Sequence, residues 1–451
     1  MESGAGREYD LVVIGTGNAG MAMVIEARHA GWKVAIADEL PYGGTCAVKG
    51  CIPKKVLVGA AEVIDRAKAM QGKGISGALR IAWPDLIRFK RTFTDTVPAA
   101  RENRFAKEGV DTYHGHARFL GRNTLLVGDT TLSSRFIGIA TGAVPRRLDI
   151  PGEQFISISE DFLAMETIPD RIVFIGGGFI SFELGYVAAR AGADVTILHR
   201  GERPLGEFDP FLVDLLVDDL RASGIRILTG MAVTSIEKKD NILHVYAGTT
   251  ENGVFDADMV MHGAGRVPNL TGLDLGNGGV SVDERGIETN QYLQSVSNPS
   301  VYVAGDANAR GKALSPVATR DGTTAARNMI RGNTIAPDYT AVPGVVFVSP
   351  LLASVGLSED EAVARGITPV VHRKETADWY SNRRIGNSRS GYIILTEQGS
   401  GRIIGAHLLG YNADEMINIF SLAIRHHLSL EDLKETLWAY PTAGYDINRI
   451  H

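Results

Sequence analysis

The chain has 451 residues, 44% hydrophobic and 22% charged, with a formal net charge of −6. It is too long for one core and suggests about three domains of roughly 150 residues; the composition excludes a disordered chain, and the acidic balance excludes a basic face for nucleic acid or an anionic membrane. Only two cysteines occur, too few for a secreted disulfide scaffold, and neither a signal sequence nor an apolar run of membrane-spanning length is seen, so a reducing, cytoplasmic setting is expected.

Read in chain order, residues 9–14 form an apolar strand and Gly15-x-Gly17-Asn18-Ala19-Gly20 a turn. A helix over 21–30 is stopped by Gly31, and a second strand over 33–37 ends at Asp38. This is a βαβ unit with a dinucleotide fingerprint. Gly15 permits the tight turn, Gly17 lets the backbone approach a pyrophosphate, and Gly20 allows helix and strand to pack closely. The helix N-terminus offers N–H groups and a positive dipole end to phosphate. Asp38 stands where a carboxylate can accept from ribose hydroxyls.

The run Gly43-Gly44-Thr45-Cys46-Ala47-Val48-Lys49-Gly50-Cys51-Ile52-Pro53-Lys54-Lys55 follows, with helical texture over 54–70. Residues five apart in a regular helix are separated by about 7.5 Å along its axis. A disulfide needs Cα atoms within roughly 7 Å. If Cys46 and Cys51 bond, the segment between them must therefore bend, and Gly50 and Pro53 suit a bend followed by a helix start. A thiolate at a helix N-terminus near Lys49 and Lys54 gains nucleophilic character. The alternatives are two inert buried thiols or half a zinc site, and no histidine lies close in sequence to complete the latter. No metal site is expected.

A strand over 135–141 leads into Ala140-Thr141-Gly142, with Pro145 and Pro151-Gly152 as breakers. A second βαβ unit then begins with a strand over 171–175, the turn Gly176-x-Gly178-x-x-Ser181, a helix over 179–191 and a strand over 194–198. Where a nicotinamide dinucleotide lacking a 2′-phosphate would meet an acid, this strand ends in His199, followed by Arg200 and Arg203. Basic groups there suit a 2′-phosphate, favouring NADPH and leaving NADH open. Strands over 258–261 and 301–304 follow, the latter ending in Gly305-Asp306. From residue 341 alternating strands and two helical stretches mark an α+β domain.

These motifs resemble the flavoprotein pyridine nucleotide-disulfide oxidoreductases, the family of glutathione reductase, dihydrolipoamide dehydrogenase and mercuric reductase. The resemblance runs through both glycine turns, the redox run and Ala140-Thr141-Gly142. It continues through Gly265-Arg266-x-Pro268-Asn269, Ala304-Gly305-Asp306, Leu314-Ser315-Pro316-Val317-Ala318 and Tyr440-Pro441-Thr442. It implies an α/β fold with two Rossmann-like dinucleotide-binding domains, for FAD and NAD(P), plus a C-terminal α+β dimerisation domain. The expected divisions are 1–147 (FAD), 148–268 (NAD(P)), 269–340 (return to the FAD domain) and 341–451 (dimerisation). FAD is expected against Gly15, Gly17, Asn18, Ala19, Gly20, Asp38, Gly44, Thr45, Thr141, Gly142, Asp306 and Ala318. NAD(P)H is expected against Gly176, Gly178, Phe179, Ile180, Arg200, Arg203 and Gly265, with Phe179 as an aromatic gate. The resemblance further implies a Lys54–Glu183 ion pair beside the flavin, Cys51 as the flavin-proximal thiolate, and Cys46 as the thiol that attacks substrate. It also implies a homodimer whose C-terminal residues complete the partner's site.

The chain departs from that family at its C-terminus. Disulfide-reducing members carry a His and a Glu where Tyr440 and Tyr445 stand here. A phenol, with a pKa near 10, is a poor base at neutral pH but can donate a hydrogen bond. Losing an acid–base group costs about 10²–10⁴-fold in rate. Disulfides with acidic leaving thiols, small electrophiles or metal ions suffer least. The C-terminus lacks the vicinal cysteines of mercuric reductases. Ile25 and Thr323 stand where glutathione reductases carry arginines, and Val48 where Asn is usual. The expected function is therefore electron transfer from NAD(P)H through FAD to the Cys46–Cys51 pair and on to a small disulfide-type substrate. A metal-ion or electrophile reductase and a non-catalytic redox sensor are the alternatives.

Overall fold

The structure is a computed structural model that describes residues 7–248, 253–308 and 310–451. The chain divides into two compact units: Met1–Pro53, Phe89–Arg146 and Arg266–Tyr339 form the first, and Lys54–Arg88, Arg147–Gly265 and Thr340–His451 the second.

The first unit is built on a sheet in the order Asp111–His114, Val34–Asp38, Arg7–Ile14, Thr130–Ile139, Thr124–Val127, Ala117–Gly121. The first four strands run parallel, and Val301–Val303 adds in parallel to Thr130–Ile139. The final two are antiparallel. The central strand reads as a continuous apolar run because both its faces are covered. Leu11 and Val13 face a core built with Met23, Val24 and Ala27 of the helix Asn18–His29. Val12 and Ile14 face the other core, with Phe119, Leu125 and Ile137. The helices Asn18–His29 and Ser315–Arg331 pack closely because Gly322 has no side chain: a Cβ there would lie 2.1 Å from the Ala19 carbonyl oxygen.

The second unit contains a parallel sheet in the order Arg226–Leu228, Asp194–Leu198, Arg171–Ile175, Met259–His262, Ile156–Ser157. A three-stranded antiparallel sheet, Val233–Lys239, Ile242–Ala247 and Val254–Ala257, lies beside it in sequence. The C-terminal region is an antiparallel sheet, Gly344–Val346, Leu352–Gly356, Ile403–Leu409, Gly391–Glu397, Pro369–Glu375, packed under the helix Ala413–Arg425. No helix of the described residues is long and apolar enough to cross a membrane.

Candidate functional site

The first glycine turn shows why each glycine is needed. Gly15 has φ +105°, and a Cβ on it would stand 2.3 Å from the Ala140 carbonyl oxygen. On Gly20 a Cβ would lie 1.9 Å from the Gly15 oxygen, so only glycine lets this helix sit against its strand. Gly17 begins the helix without any side-chain cap, and no acid lies in the first turn. The first N–H groups are thus left for an anion. Gly44, at φ +68°, brings the redox run onto this turn: a Cβ there would be 2.5 Å from Gly17 Cα.

Asp38 binds the turn together. Its Oδ2 accepts from Thr16 N at 2.8 Å and Thr16 Oγ1 at 2.7 Å, and Oδ1 accepts from Leu40 N at 3.0 Å. Thr16 Oγ1 in turn accepts from Gly43 N at 3.1 Å. Thr16 is fully buried and was not among the expected site residues; its neighbours in the fingerprint were the only signal for it.

Two further groups suit a bound dinucleotide. Thr141 Oγ1 is buried with no hydrogen-bond partner. The Asp306 carboxyl is pushed up from its ordinary value by burial, partly offset by the nearby Arg266. Ala19 and Ala318 bracket the turn before it, their Cβ atoms lying 3.0 and 3.2 Å from where a Gly305 side chain would begin. A cradle of glycine and alanine, an orphan hydroxyl and a buried acid match the needs of FAD, with its pyrophosphate and ribityl hydroxyls.

The cysteines occupy the predicted bend. The helix Gly44–Lys49 ends at Gly50 (φ −148°, ψ −111°), and a new helix runs over Cys51–Ala69. A Cβ on Gly50 would stand 2.9 Å from the Thr45 oxygen, so the bend excludes a side chain. Both cysteines are free thiols. Cys46 hydrogen bonds with Cys51, and that bond, followed by burial, pushes its thiol up; contacts with Ser315 and Asn18 act in the opposite direction. Ser315 Oγ also lies 3.5 Å from Cys51 Sγ. Thus Ser315, quoted in a motif but not singled out, touches both sulfurs. Asn18 reaches the thiol as well as the dinucleotide turn. All the residues expected to hold FAD, and both cysteines, fall in the first unit.

The residues expected to hold NAD(P)H fall in the second unit. Gly176 has φ +105°, and a Cβ would meet the Gly263 oxygen at 2.4 Å. Gly178 opens the helix Phe179–Arg190 with no side-chain cap. Ser181 fits only because Gly263 faces it, a Cβ on Gly263 falling 1.8 Å from Ser181 Oγ. Gly265 has φ +104°, Ile180 is half-buried, and Phe179 is exposed at the start of the helix.

The basic strand end is less uniform than its sequence. His199 Nδ1 accepts from Gly177 N at 3.1 Å, and its Nε2 lies 3.0 Å from the Arg203 carbonyl oxygen. Burial lowers the imidazole below its ordinary value, so the ring is held neutral. Arg203 forks onto Asp214 at 3.0 and 3.2 Å. Arg200 is exposed and has no hydrogen bond or ion pair among the described residues.

Lys54 and Glu183 meet in the same unit, with Nζ 2.8 Å from Oε1. Glu183 is 3% exposed and also accepts from Phe347 N at 2.9 Å, while Lys54 Nζ lies over the Phe347 ring at 4.2 Å. Phe347 was not expected; it lies outside every motif. Tyr440 is exposed, edge-to-face with Tyr445 at 4.8 Å between centroids.

The model of the pyridine nucleotide-disulphide oxidoreductases matches residues 9–322, and that of their dimerisation domain matches residues 342–449. The chain is 33% identical over 451 residues to a glutathione reductase of Burkholderia cepacia, covering 96% of each. It is 30% identical over 444 residues to a mercuric reductase of Staphylococcus aureus, covering 96% of this chain and 80% of that protein. The Cu(II) complex of the HOCl-induced flavoprotein disulfide reductase RclA from Escherichia coli superposes with a TM-score of 0.88 at 25% identity, over 98% of this chain and 99% of that one. The chain belongs to the pyridine nucleotide-disulphide oxidoreductases: it is a flavoprotein oxidoreductase using FAD and a pyridine nucleotide, acts on sulfur groups, and carries the family's dimerisation domain. The family and the fold class expected from the sequence are both borne out.

Proposed function

We propose that this enzyme takes electrons from NADPH and delivers them through Cys46 and Cys51 to a small disulfide or electrophile with a good leaving group. The observation that carries the reading is the Cys46–Cys51 contact across the Gly50 bend, with Ser315 touching both sulfurs. Bound FAD supplies the two-electron relay between nicotinamide and the cysteine pair. Reduction of the oxidised pair breaks its S–S bond and leaves one thiolate and, with one proton, one thiol. Cys46, as thiolate, attacks a substrate disulfide, forming a mixed disulfide and releasing one thiolate. Cys51 then attacks Cys46 Sγ, restoring the pair and releasing the second thiolate. Lys54 and Glu183 hold a buried charge pair whose geometry is fixed by Phe347. Tyr440 replaces the proton donor, which favours leaving groups that need no proton.

In this reading Arg200 reads the 2′-phosphate, residues 342–449 form a homodimer, and Tyr440 completes the partner subunit's site. A reducing cytoplasm suits two cysteines that cycle between thiol and disulfide. Anaerobic titration with NADPH tests the proposal: a thiolate-to-flavin charge-transfer band should form at two electrons and vanish in Cys51→Ser. A flavin that reduces fully without that band would overturn it.

A second reading, reduction of a metal ion such as Cu(II), is favoured by Tyr440 and by the Cu(II) complex of RclA. A metal ion accepts electrons without a leaving thiol to protonate. NADPH oxidation driven by Cu(II) but by no member of a disulfide panel would select it.

A further inference from the structure

Cys46 has an electrostatic problem. Its contact with Cys51 and its burial both raise its thiol, yet as the attacking group it must carry negative charge. The helix Val97–Lys107 addresses this. Its residues Val97 and Arg101, one turn apart, pack on Gly43, three residues before Cys46. Gly43 adopts φ +133°, and a Cβ there would lie 2.8 Å from Val97 Cγ1 and 3.9 Å from Arg101 Cγ. The helix therefore closes on the redox run and carries the Arg101 guanidinium in with it. Nη2 lies 3.5 Å from Asn18 Oδ1, and Nη1 lies against the Met21 sulfur. Asn18 is the same side chain that contacts the Cys46 thiol.

Arg101 is half-buried and has no carboxylate partner among the described residues. Burial, then the neighbouring Arg104, lowers its guanidinium from the ordinary value, while Cys46 acts in the opposite direction. A partly desolvated cation needs an anion. The charge that forms on Cys46 is one.

We propose that Arg101 is a positioning residue that lends positive charge to Cys46 through Asn18 and biases the enzyme toward electrophiles carrying an anionic group. This rests on the assignment of Cys46 as the attacking thiol. It supplies electrostatically what a phenol at position 440 cannot supply as a proton. When Cys46 opens a substrate disulfide, one S–S bond breaks as another forms, and the departing thiolate leaves with its electron pair.

Alkylation of the holoenzyme tests this. After reduction by dithiothreitol and anaerobic removal of the reductant, Cys46 is labelled with iodoacetate or iodoacetamide and quantified by peptide mass spectrometry. Both reagents form the S–C bond as iodide departs, so neither needs a proton donor, and they differ in charge. The iodoacetate-to-iodoacetamide rate ratio at Cys46 should exceed that of N-acetylcysteine by about tenfold. It should fall to near the free-thiol ratio in Arg101→Gln and be largely kept in Arg101→Lys. A wild-type ratio at or below the free-thiol value overturns the proposal, as does an unchanged ratio in Arg101→Gln or a Cys46 that resists both reagents. The wild-type comparison stands even if Arg101→Gln fails to fold. Because dithiothreitol replaces NADPH, failure of electron delivery to the cysteines would sink the proposed function without altering this result.

Discussion

The two glycine turns share a design and differ in what braces them. In the first, the strand ends in Asp38, whose carboxylate takes three hydrogen bonds, two of them from Thr16. In the second, His199 follows the strand Asp194–Leu198, and its ring takes the Gly177 N–H. The residue after the second strand thus holds the turn's backbone. A carboxylate does so over most of the pH range. An imidazole does so only while neutral, because protonation removes the Nδ1 lone pair that Gly177 uses. The first turn is a fixed cradle, suited to a cofactor that stays; the second is conditional, suited to one that comes and goes.

The third fingerprint position separates the turns most strongly. Gly20→Ala drives a Cβ into the Gly15 carbonyl and should cost about 3 kcal/mol, read as a lower thermal midpoint and a lower flavin-to-protein ratio. Ser181→Ala removes a buried hydroxyl without a partner, so its midpoint should stay within about 1 kcal/mol of the parent. Equal losses would mean that the turns are packed alike. Asp38→Ala comes next. It strands the buried Thr16 hydroxyl and N–H, and at about 2 kcal/mol should weaken FAD retention roughly 30-fold in a dilution assay followed by flavin fluorescence.

Smaller effects belong to the second turn. Arg200→Ala should lower kcat/KM for NADPH by about 10–100-fold and leave NADH nearly unchanged, since a phosphate contact from an arginine is charge-assisted. A parallel loss with both nucleotides would remove Arg200 from 2′-phosphate recognition. His199 should show itself in pH. Its folded value is depressed by burial, so the unfolded chain binds the proton more readily. Its contribution to stability is intact above the ordinary imidazole value near 6.5 and is lost as pH falls through it. KM for NADPH should rise at lower pH still, because the folded ring, its value depressed by burial, takes the proton only below that range. His199→Asn, which offers an acceptor that does not titrate, should flatten that rise several-fold. A profile identical to the parent's would exclude His199 as its source.

The fold was legible wherever apolar strands were punctuated by glycine. The strands Arg171–Ile175 and Asp194–Leu198 match the sequence reading at both ends, because a strand buried on both faces is apolar throughout and Gly176 and Gly192 bound it. The helix expected from residue 54 instead starts at Cys51: proline is tolerated in a first turn, so Pro53 did not mark its beginning. The helix Val97–Lys107 had no counterpart in the sequence reading. Phe105 is its only fully buried side chain, and charges interrupt any apolar period. Missing that helix meant missing Arg101, whose role exists only through packing on Gly43. Thr16 fills the unspecified position of the first fingerprint and Ser315 lies in the run 314–318, but their contacts with Asp38 and the cysteines join segments far apart in sequence. Likewise, three basic residues at a strand end read alike until pairing distinguished Arg200 from Arg203.

That distinction makes the smallest prediction and the finest test of the comparison. Arg203 and Asp214 are both about half exposed, and their fork lies in water and salt. Such pairs add little to stability. The pair nevertheless matters to recognition, because a guanidinium already engaged on a carboxylate presents less charge to a phosphate. Arg203→Ala should therefore change kcat/KM for NADPH by roughly twofold or less, far below Arg200→Ala. Asp214→Asn should do the reverse of a loss: by releasing the guanidinium it should lower KM for NADPH modestly while leaving KM for NADH unchanged, an effect that shrinks as ionic strength rises. If instead Arg203→Ala matches Arg200→Ala, the fork opens when nucleotide binds, and the second turn has two cations for the phosphate.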